Sequence, residues 1–180
     1  IASAFVRLHE QYREAILRPQ ADDNPLTDRD KAEVLAENSR PVDAVRNWFY
    51  AHRNYVDALD RPAEELAEEL ALHRHEPHVA LTSRLASHGI IVRILPAEVM
   101  GDQLRRFDFH RKELMLSELL GQASRRFQIG VLLARLEQEA TIAQLVQDSD
   151  LSDPPAVSLL RVSLANYFGA ALLMPYGRFL

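Results

Sequence analysis

The sequence predicts an α+β fold that is predominantly helical, and three observations carry the prediction. Apolar residues recur at helical spacing through most of the first half of the chain. A single short β-branched run, Ile90-Ile91-Val92-Arg93-Ile94-Leu95, breaks that pattern and is followed by two more short extended segments. Two long helical patterns close the chain, the second strongly apolar and stopped at Pro175.

In order along the chain, residues 2–18 carry Phe5, Leu8, Tyr12, Ala15 and Ile16 on one helical face, and Pro19 stops them. Ala21-Asp22-Asp23-Asn24-Pro25 is a loop by composition. Thr27 can N-cap a short helix through Glu37. A longer helix is expected from Pro41 to Leu59, because proline near a first turn has no N–H to lose. Its apolar face is Val45, Trp48, Phe49, Val56 and Leu59. The acidic stretch 64–69 and the segment Ala80–Ala86 imply one or two more helices, broken near Pro77. Ile90–Leu95 is then a strand ended by Pro96. Leu104–Phe109 and Glu113–Leu116 form an antiparallel hairpin, although the turn lacks the glycine such turns favour. Helices over 122–147 and 154–174, joined by Asp148–Asp153, complete the chain. The expected organisation is a helical segment over 1–88 packed as a layer on a small core over 89–180.

Composition bounds the function classes. At 180 residues, 47% hydrophobic and 26% charged, the chain can bury one sizeable core or two small ones. With no cysteine it has neither disulfides nor thiolate metal sites, which fits a reducing compartment. No signal peptide and no apolar run near a membrane span is read, so the expected location is cytoplasmic, with no membrane partner. The chain opens Ile1-Ala2-Ser3 and stops at Phe179-Leu180, which reads as a piece of a longer protein. A net charge of −5 argues against generalised nucleic-acid binding by this segment. Of 21 basic residues only Lys31 and Lys112 are lysines, leaving 19 arginines. Codon bias in a GC-rich genome explains that, and so does recognition of a phosphorylated ligand by guanidinium forks.

The last helix reads Leu164-Ala165-Asn166-Tyr167-Phe168-Gly169-Ala170-Ala171-Leu172-Leu173-Met174-Pro175. It resembles the signature E-A-N-x-F-A-A-x-L-L-M-P of zinc-metallopeptidase-like domains of the ImmA/IrrE type. Arg126-Phe127-Gln128-Ile129-Gly130-Val131-Leu132-Leu133-Ala134-Arg135-Leu136 is similarly framed like that family's R-F-T-L-A-H-E-L-G-H-L. The resemblance covers roughly residues 84–180 and implies a zincin-like core with strand, hairpin and two helices in that order. The chemistry departs from it. An H-E-x-x-H helix presents two imidazoles to a metal from one face and a glutamate to the metal-bound water. Here Val131 and Arg135 stand at the histidines and Leu132 at the glutamate. In the last helix Val162 and Leu164 replace both acidic residues. No catalytic and no metal residue is assigned, and the core is expected to be a degenerate zincin.

Leu104-Arg105-Arg106-Phe107-Asp108 and Leu116-Ser117-Glu118-Leu119-Leu120, taken with the closing helix, narrow the resemblance. They look like the short-chain fatty-acyl-CoA-responsive transcriptional regulators of the mycobacterial methylcitrate-cycle, or propionate, type. That resemblance implies an acyl-CoA-sensing domain, with a coenzyme A thioester such as propionyl-CoA as ligand and no cofactor within this segment. It further implies DNA binding through an N-terminal helix-turn-helix, a cysteine-containing C-terminal region able to carry an iron–sulfur cluster, and a homo-oligomer.

A coenzyme A site needs arginines for its phosphates, an aromatic for stacking and an apolar channel for its arm. With six scattered glycines and no glycine-rich phosphate loop, side chains have to supply the phosphate contacts. The first candidates are Arg46, Tyr50 and Arg53, on one helical flank at i, i+4 and i+7, with Tyr55 beside them and Arg18 within reach if the helices form a hairpin. The second are Arg105 and Phe107 on one face of the hairpin, with Arg93 on the preceding strand. An amphipathic helix with solvated arginines and a charged hairpin edge account for the same residues. His73, His75, His78 and Glu76 match no strong ligand template and read as an exposed loop. No G-x-S-x-G or similar nucleophile setting occurs. The alternatives kept open are a protein-interaction or dimerisation module and, more remotely, a metallopeptidase-like hydrolase.

Overall fold

The structure is a computed structural model and describes residues 28–73 and 76–175. The helix expected over 2–18, the loop at 21–25, Thr27 and Arg18 lie outside the described residues. Among these there are seven helices and three strands. They fall into two compact units. One holds the described residues up to Tyr55 together with Leu151–Leu159, and the other holds Val56–Asp150 and the described residues from Leu160 onward.

The first unit contains α1, Asp28–Ala51. The sequence expectation placed a helix boundary at Pro41 and ran the next helix on to Leu59. Instead one helix carries Pro41 in its interior, where proline removes an i→i−4 hydrogen bond. Val45, Trp48 and Phe49 form its buried face, and the His52 ring stacks on Trp48 at 4.0 Å between centroids. The helix stops after Ala51 because Arg53 and Asn54 turn into the left-handed region, at φ 54° and 56°. The Arg53 N–H donates to the Tyr50 carbonyl at 2.9 Å and the Asn54 N–H to the Phe49 carbonyl at 2.8 Å. Those are the two bonds of a Schellman end, with arginine in the position that glycine usually takes.

In the second unit α2 (Asp57–Glu69) and α3 (Pro77–Ser87) occupy the region where the acidic run and Ala80–Ala86 imply helices. Both close with the same pair of bonds. After α2 the left-handed residue is Ala71, at φ 47°, and after α3 it is Gly89, at φ 74°. Only Gly89 announces its helix end in the sequence.

The sheet follows the expected segments: β1 (Ile91–Leu95), β2 (Arg105–Asp108) and β3 (Glu113–Ser117), in the order β1-β3-β2. β1 runs parallel to β3 and β2 antiparallel to it. The short helix α4 (Ala97–Met100) sits between β1 and β2, its Ala97 N–H bonded to Glu118 Oε1 at 3.0 Å. The hairpin manages without glycine. Asp108 Oδ1 accepts the His110 and Arg111 N–H groups at 3.0 and 2.9 Å, and Lys112 takes the left-handed position at φ 52°. Those amides, Arg111 first, hold the Asp108 carboxyl below the usual carboxylate range, the opposing effect of desolvation being weaker.

The expected helix over 122–147 is two helices, α5 (Gln122–Glu137) and α6 (Glu139–Gln147), separated at Gln138. No proline or glycine marks that break. Glu137, just before it, is held by α3. The Arg84 guanidinium grips both Glu137 oxygens at 2.8 and 3.2 Å and reaches Glu69 of α2 at 2.9 Å, while His88 Nε2 lies 2.7 Å from Glu137 Oε1. Burial would raise the Glu137 pKa, but the Arg84 and His88 contacts outweigh it and hold the carboxyl below its ordinary value.

The chain's closing helix, α7 (Pro154–Leu173), is 20 residues long with a mean hydropathy of 1.4 in its most apolar window. By length and composition it could cross a membrane, which corrects the expectation that no such run exists. More than half of that window (56%) is buried inside the protein, as befits a core helix. Leu160, Leu164, Phe168 and Leu172 are fully buried along it. Its Tyr167 hydroxyl donates to the buried carboxylate of Asp60 at 3.0 Å and accepts the Val56 N–H at 3.2 Å, tying the start of α2 to the core. Burial, the largest effect on Asp60, raises its pKa despite that hydrogen bond.

Candidate functional site

The residues aligned with a metal site sit where α5 meets α7. Ile129–Ala134 are buried all round the helix, with Val131 and Leu132 at 3% and 4% exposure. On α7, Leu164 is fully buried and Val162 is exposed. Neither valine nor leucine offers a lone pair to a metal or moves a proton, so the environment is one of apolar packing. Among the described residues no group of three or more His, Asp or Glu side chains is arranged to hold a metal ion.

Two glycines bring the helix backbones together there. A Cβ added to Gly130 would lie 3.1 Å from Gly169 Cα, and one on Gly169 would lie 3.0 Å from both Val131 N and Val131 Cγ2. Both glycines stand where the resembled pattern has alanine. Removing the two methyl groups lets the helices approach and lets Val131 fill the space.

The sheet sets the other wall. Pairing places Val92, Leu114 and Phe107 in one row of a face and Ile94, Leu116 and Arg105 in the next. Arg105 turns toward α5, where its Nη1 donates to Gln128 Oε1 at 3.3 Å. Burial, and then the charge of Arg135, lower the Arg105 pKa. Gln128 and Arg135 lie two helical turns apart on one face of α5, with Val131 and Leu132 between them. Arg135 is exposed, and among the described residues neither arginine is paired with a carboxylate.

The other candidates are placed differently. Arg93, on the opposite sheet face from Arg105, lies in a row with Met115 and Arg106 and pairs with Glu113 at 3.6 Å. Arg106 Nη2 donates to Met115 Sδ at 3.3 Å. Phe107 packs edge-on against exposed Phe109, ring centroids 6.1 Å apart. Arg46 and Tyr50 share a flank of α1, with Arg46 paired to Asp43 and Tyr50 exposed. Arg53 does not extend that flank, because it lies past the helix end in a left-handed conformation. Tyr55 is exposed in the connection before α2. All four belong to the first unit, whereas Arg93, Arg105 and Phe107 belong to the second. His73 and Glu76 are exposed and His78 is half-buried, while His75 lies outside the described residues. Sequence reasoning read Arg135 only as a lost metal ligand. The effect of its charge on Arg105 accompanies the Arg105–Gln128 hydrogen bond that links β2 to α5, which no local pattern announces.

A zincin-like core stripped of metal ligands is a class that comparison with known proteins makes specific. Residues 85–180 match the model of the IrrE N-terminal-like domain, and the chain belongs to that family. It is 33% identical over 183 residues to the HTH-type transcriptional regulator RamB of Mycobacterium tuberculosis, a match covering 99% of this chain and 37% of RamB. It is 28% identical over 149 residues to the HTH-type transcriptional regulator PrpR of the same organism, covering 83% of this chain and 31% of PrpR. A propionyl-CoA carboxylase regulator of Cereibacter sphaeroides is 29% identical over 179 residues, covering 99% and 36%. The chain thus spans about a third of the length of these relatives, two of which are named as HTH-type transcriptional regulators and one as a propionyl-CoA carboxylase regulator. A solved Mycobacterium tuberculosis transcriptional regulator superposes with a TM-score of 0.72 at 31% identity, over 77% of this chain and 42% of that one.

Proposed function

We propose that this chain is the ligand-sensing domain of a bacterial transcriptional regulator of short-chain fatty acid metabolism, and that it binds an acyl-CoA, propionyl-CoA first among them, without catalysing a reaction. The observation that carries the reading is the replacement of a metal-binding helix face by buried Val131 and Leu132, beside a desolvated arginine. The scaffold is kept while the means of hydrolysis are absent, and the relatives are regulators, one of them named for propionyl-CoA carboxylase. DNA binding belongs to a helix-turn-helix outside this sequence, and an iron–sulfur cluster, if carried, to a cysteine-containing region also outside it. The protein works as a cytoplasmic homo-oligomer. Ligand binding favours one of two arrangements of the domain and so alters how the DNA-binding part is presented.

Calorimetric titration of the purified chain with propionyl-CoA, acetyl-CoA and free coenzyme A tests this. Saturable binding with a preference among the three is expected. Absence of heat with all three refutes it, and chelator-sensitive peptidase activity would restore the hydrolase alternative.

A further inference from the structure

The tip of the β2–β3 hairpin presents an aromatic ring and two cations to water. Phe109, His110, Arg111 and Lys112 are all exposed, and Phe109, at 81%, is the most exposed large apolar side chain among the described residues. A ring left in water costs free energy. The tip is nevertheless held in that shape. Asp108 Oδ1 accepts the His110 and Arg111 N–H groups, Lys112 is fixed in the left-handed region, and the Lys112 carbonyl accepts the Ile91 N–H at 3.0 Å. Phe109 stands edge-on to Phe107 of β2.

The same unit carries the opposite charge on α2, where six of 13 residues are acidic and only Arg61 is basic. Glu65, Glu68 and Glu69 are exposed and share a helical face at i, i+3 and i+4, beside a last turn with no basic residue. Carboxylates there add to the negative end of the helix dipole, so a cation brought from outside stabilises that end. Arg84 reaches Glu69 at 2.9 Å, yet the Glu69 side chain remains 60% exposed. A short run of contacts joins the two patches. The Lys112 side chain passes within 3.8 Å of where a Gly89 Cβ would stand, next to His88. His88 and Arg84 share Glu137, and Arg84 holds Glu69.

We propose that the tip Phe109–Lys112 docks on the acidic end of α2 of a second copy of this chain, with a two-fold axis repeating the contact. Linked patches of opposite sign suit that symmetry, since each copy then gives one tip and receives one. Arg111 and Lys112 meet glutamates, which steers the encounter and fixes its register. Phe109 leaves water against the helix, and aromatic and arginine side chains carry most of the energy of such contacts. The acidic helix on the same surface repels phosphates, which favours a protein occupant over nucleic acid. The proposal rests on the homo-oligomer of the functional reading, whose surface it names, and is independent of the ligand.

The test is sedimentation velocity of the whole chain at low salt and at about 1 M salt, where the Debye length shrinks to about 3 Å. The proteins compared are wild type, a tip variant (Arg111→Glu with Lys112→Glu), a helix variant (Glu65→Lys with Glu68→Lys) and the control Arg161→Glu. Wild type and the control are expected to sediment as dimers at low salt and to dissociate as salt rises. Each reversed variant alone is expected to self-associate at least about tenfold more weakly. Mixed together, the tip and helix variants are expected to dimerise again, because both contacts then join unlike charges. That recovery also shows that both variants are folded. Dimers that neither reversal weakens, or variants that do not recover on mixing, overturn the proposal and leave the homo-oligomer to another surface. A monomeric wild type removes the surface and the homo-oligomer together, while propionyl-CoA titration of the same sample reports on sensing separately. Duplex DNA bound by wild type and lost in the tip variant, with no change in sedimentation, assigns the tip to nucleic acid and overturns the proposal.

Discussion

Replacing Gly169 by alanine pits two physical effects of known sign against each other. In the interior of a helix, glycine to alanine is worth about 1 kcal/mol of stability from propensity alone, and a buried methyl adds roughly 0.8 kcal/mol. Both would make Gly169→Ala a stabilising change if α7 were isolated. At the crossing with α5 the new Cβ would lie 3.0 Å from Val131 N and Val131 Cγ2 and 3.3 Å from the Gly130 carbonyl carbon. Carbon atoms prefer about 3.5–4.0 Å, so the helices must separate by roughly half an ångström. The obstacle is backbone, which cannot rotate away as a side-chain tip can. Nor can α5 slide freely, because Ile129–Ala134 are buried on every side. Overpacking of this kind costs about 1–3 kcal/mol and also opens gaps elsewhere along the crossing. Because the methyl meets backbone and cannot be accommodated, its burial gain is forfeited, and the overpacking cost set against about 1 kcal/mol of propensity leaves an expected net loss of up to about 2 kcal/mol, read as a lower urea midpoint at unchanged slope, or as a melting temperature lower by up to about 8 °C. Gly130→Ala meets Gly169 Cα at 3.1 Å and should behave alike. The double variant should cost less than the sum, since one helix displacement relieves both clashes. A higher midpoint for Gly169→Ala would show that the crossing is looser than described and that propensity governs the site.

Other substitutions test other parts of the fold. Ala71→Gly should leave stability unchanged or raise it by up to about 1 kcal/mol, because glycine bears the left-handed conformation without strain, whereas Ala71→Val should cost about 1–2 kcal/mol in a thermal melt. Glu137→Gln should lower stability by about 1–3 kcal/mol near neutral pH by stripping Arg84 and His88 of their partner. Because the folded Glu137 pKa lies below its unfolded value, that contribution exists above the ordinary carboxylate range and fades as pH falls through the folded value, so the two proteins should converge in acid. Asp60→Asn should do the opposite. The folded Asp60 pKa is raised, so its charge opposes folding at neutral pH, and the variant should unfold at higher urea there with the advantage disappearing on acidification. An Asp60→Asn protein less stable at neutral pH would mean that the ionised carboxylate is needed by Tyr167.

How much of this was legible in the sequence follows from which forces are local. The strand, the hairpin and the apolar final helix were legible, because alternation, β-branching and 3.6-residue periodicity act over a few neighbouring residues. Gly89 was readable as a helix end for the same reason. Arg53 and Ala71 end helices in the same geometry without glycine, so a pattern reading ran one helix on to Leu59. The break at Gln138 was equally silent, since Glu137 beside it is held by Arg84 and His88, some fifty positions earlier. Among candidate residues, the alternation that put Arg105 and Phe107 on one face of β2 held, while Arg93 fell on the opposite face once β1 paired in parallel with β3.

By itself the sequence determined the strand, the hairpin and the apolar closing helix, and the loss of the metal-site residues at Val131, Arg135, Val162 and Leu164 and of the general base at Leu132, because both are properties of residues and short spacings. Only the tertiary structure decided that Gly130 and Gly169 let two helices touch, and that Arg105 of β2 bonds Gln128 of α5. Those are relations between residues some twenty to forty positions apart. Their energies arise only when packing has excluded water, and no local pattern encodes them.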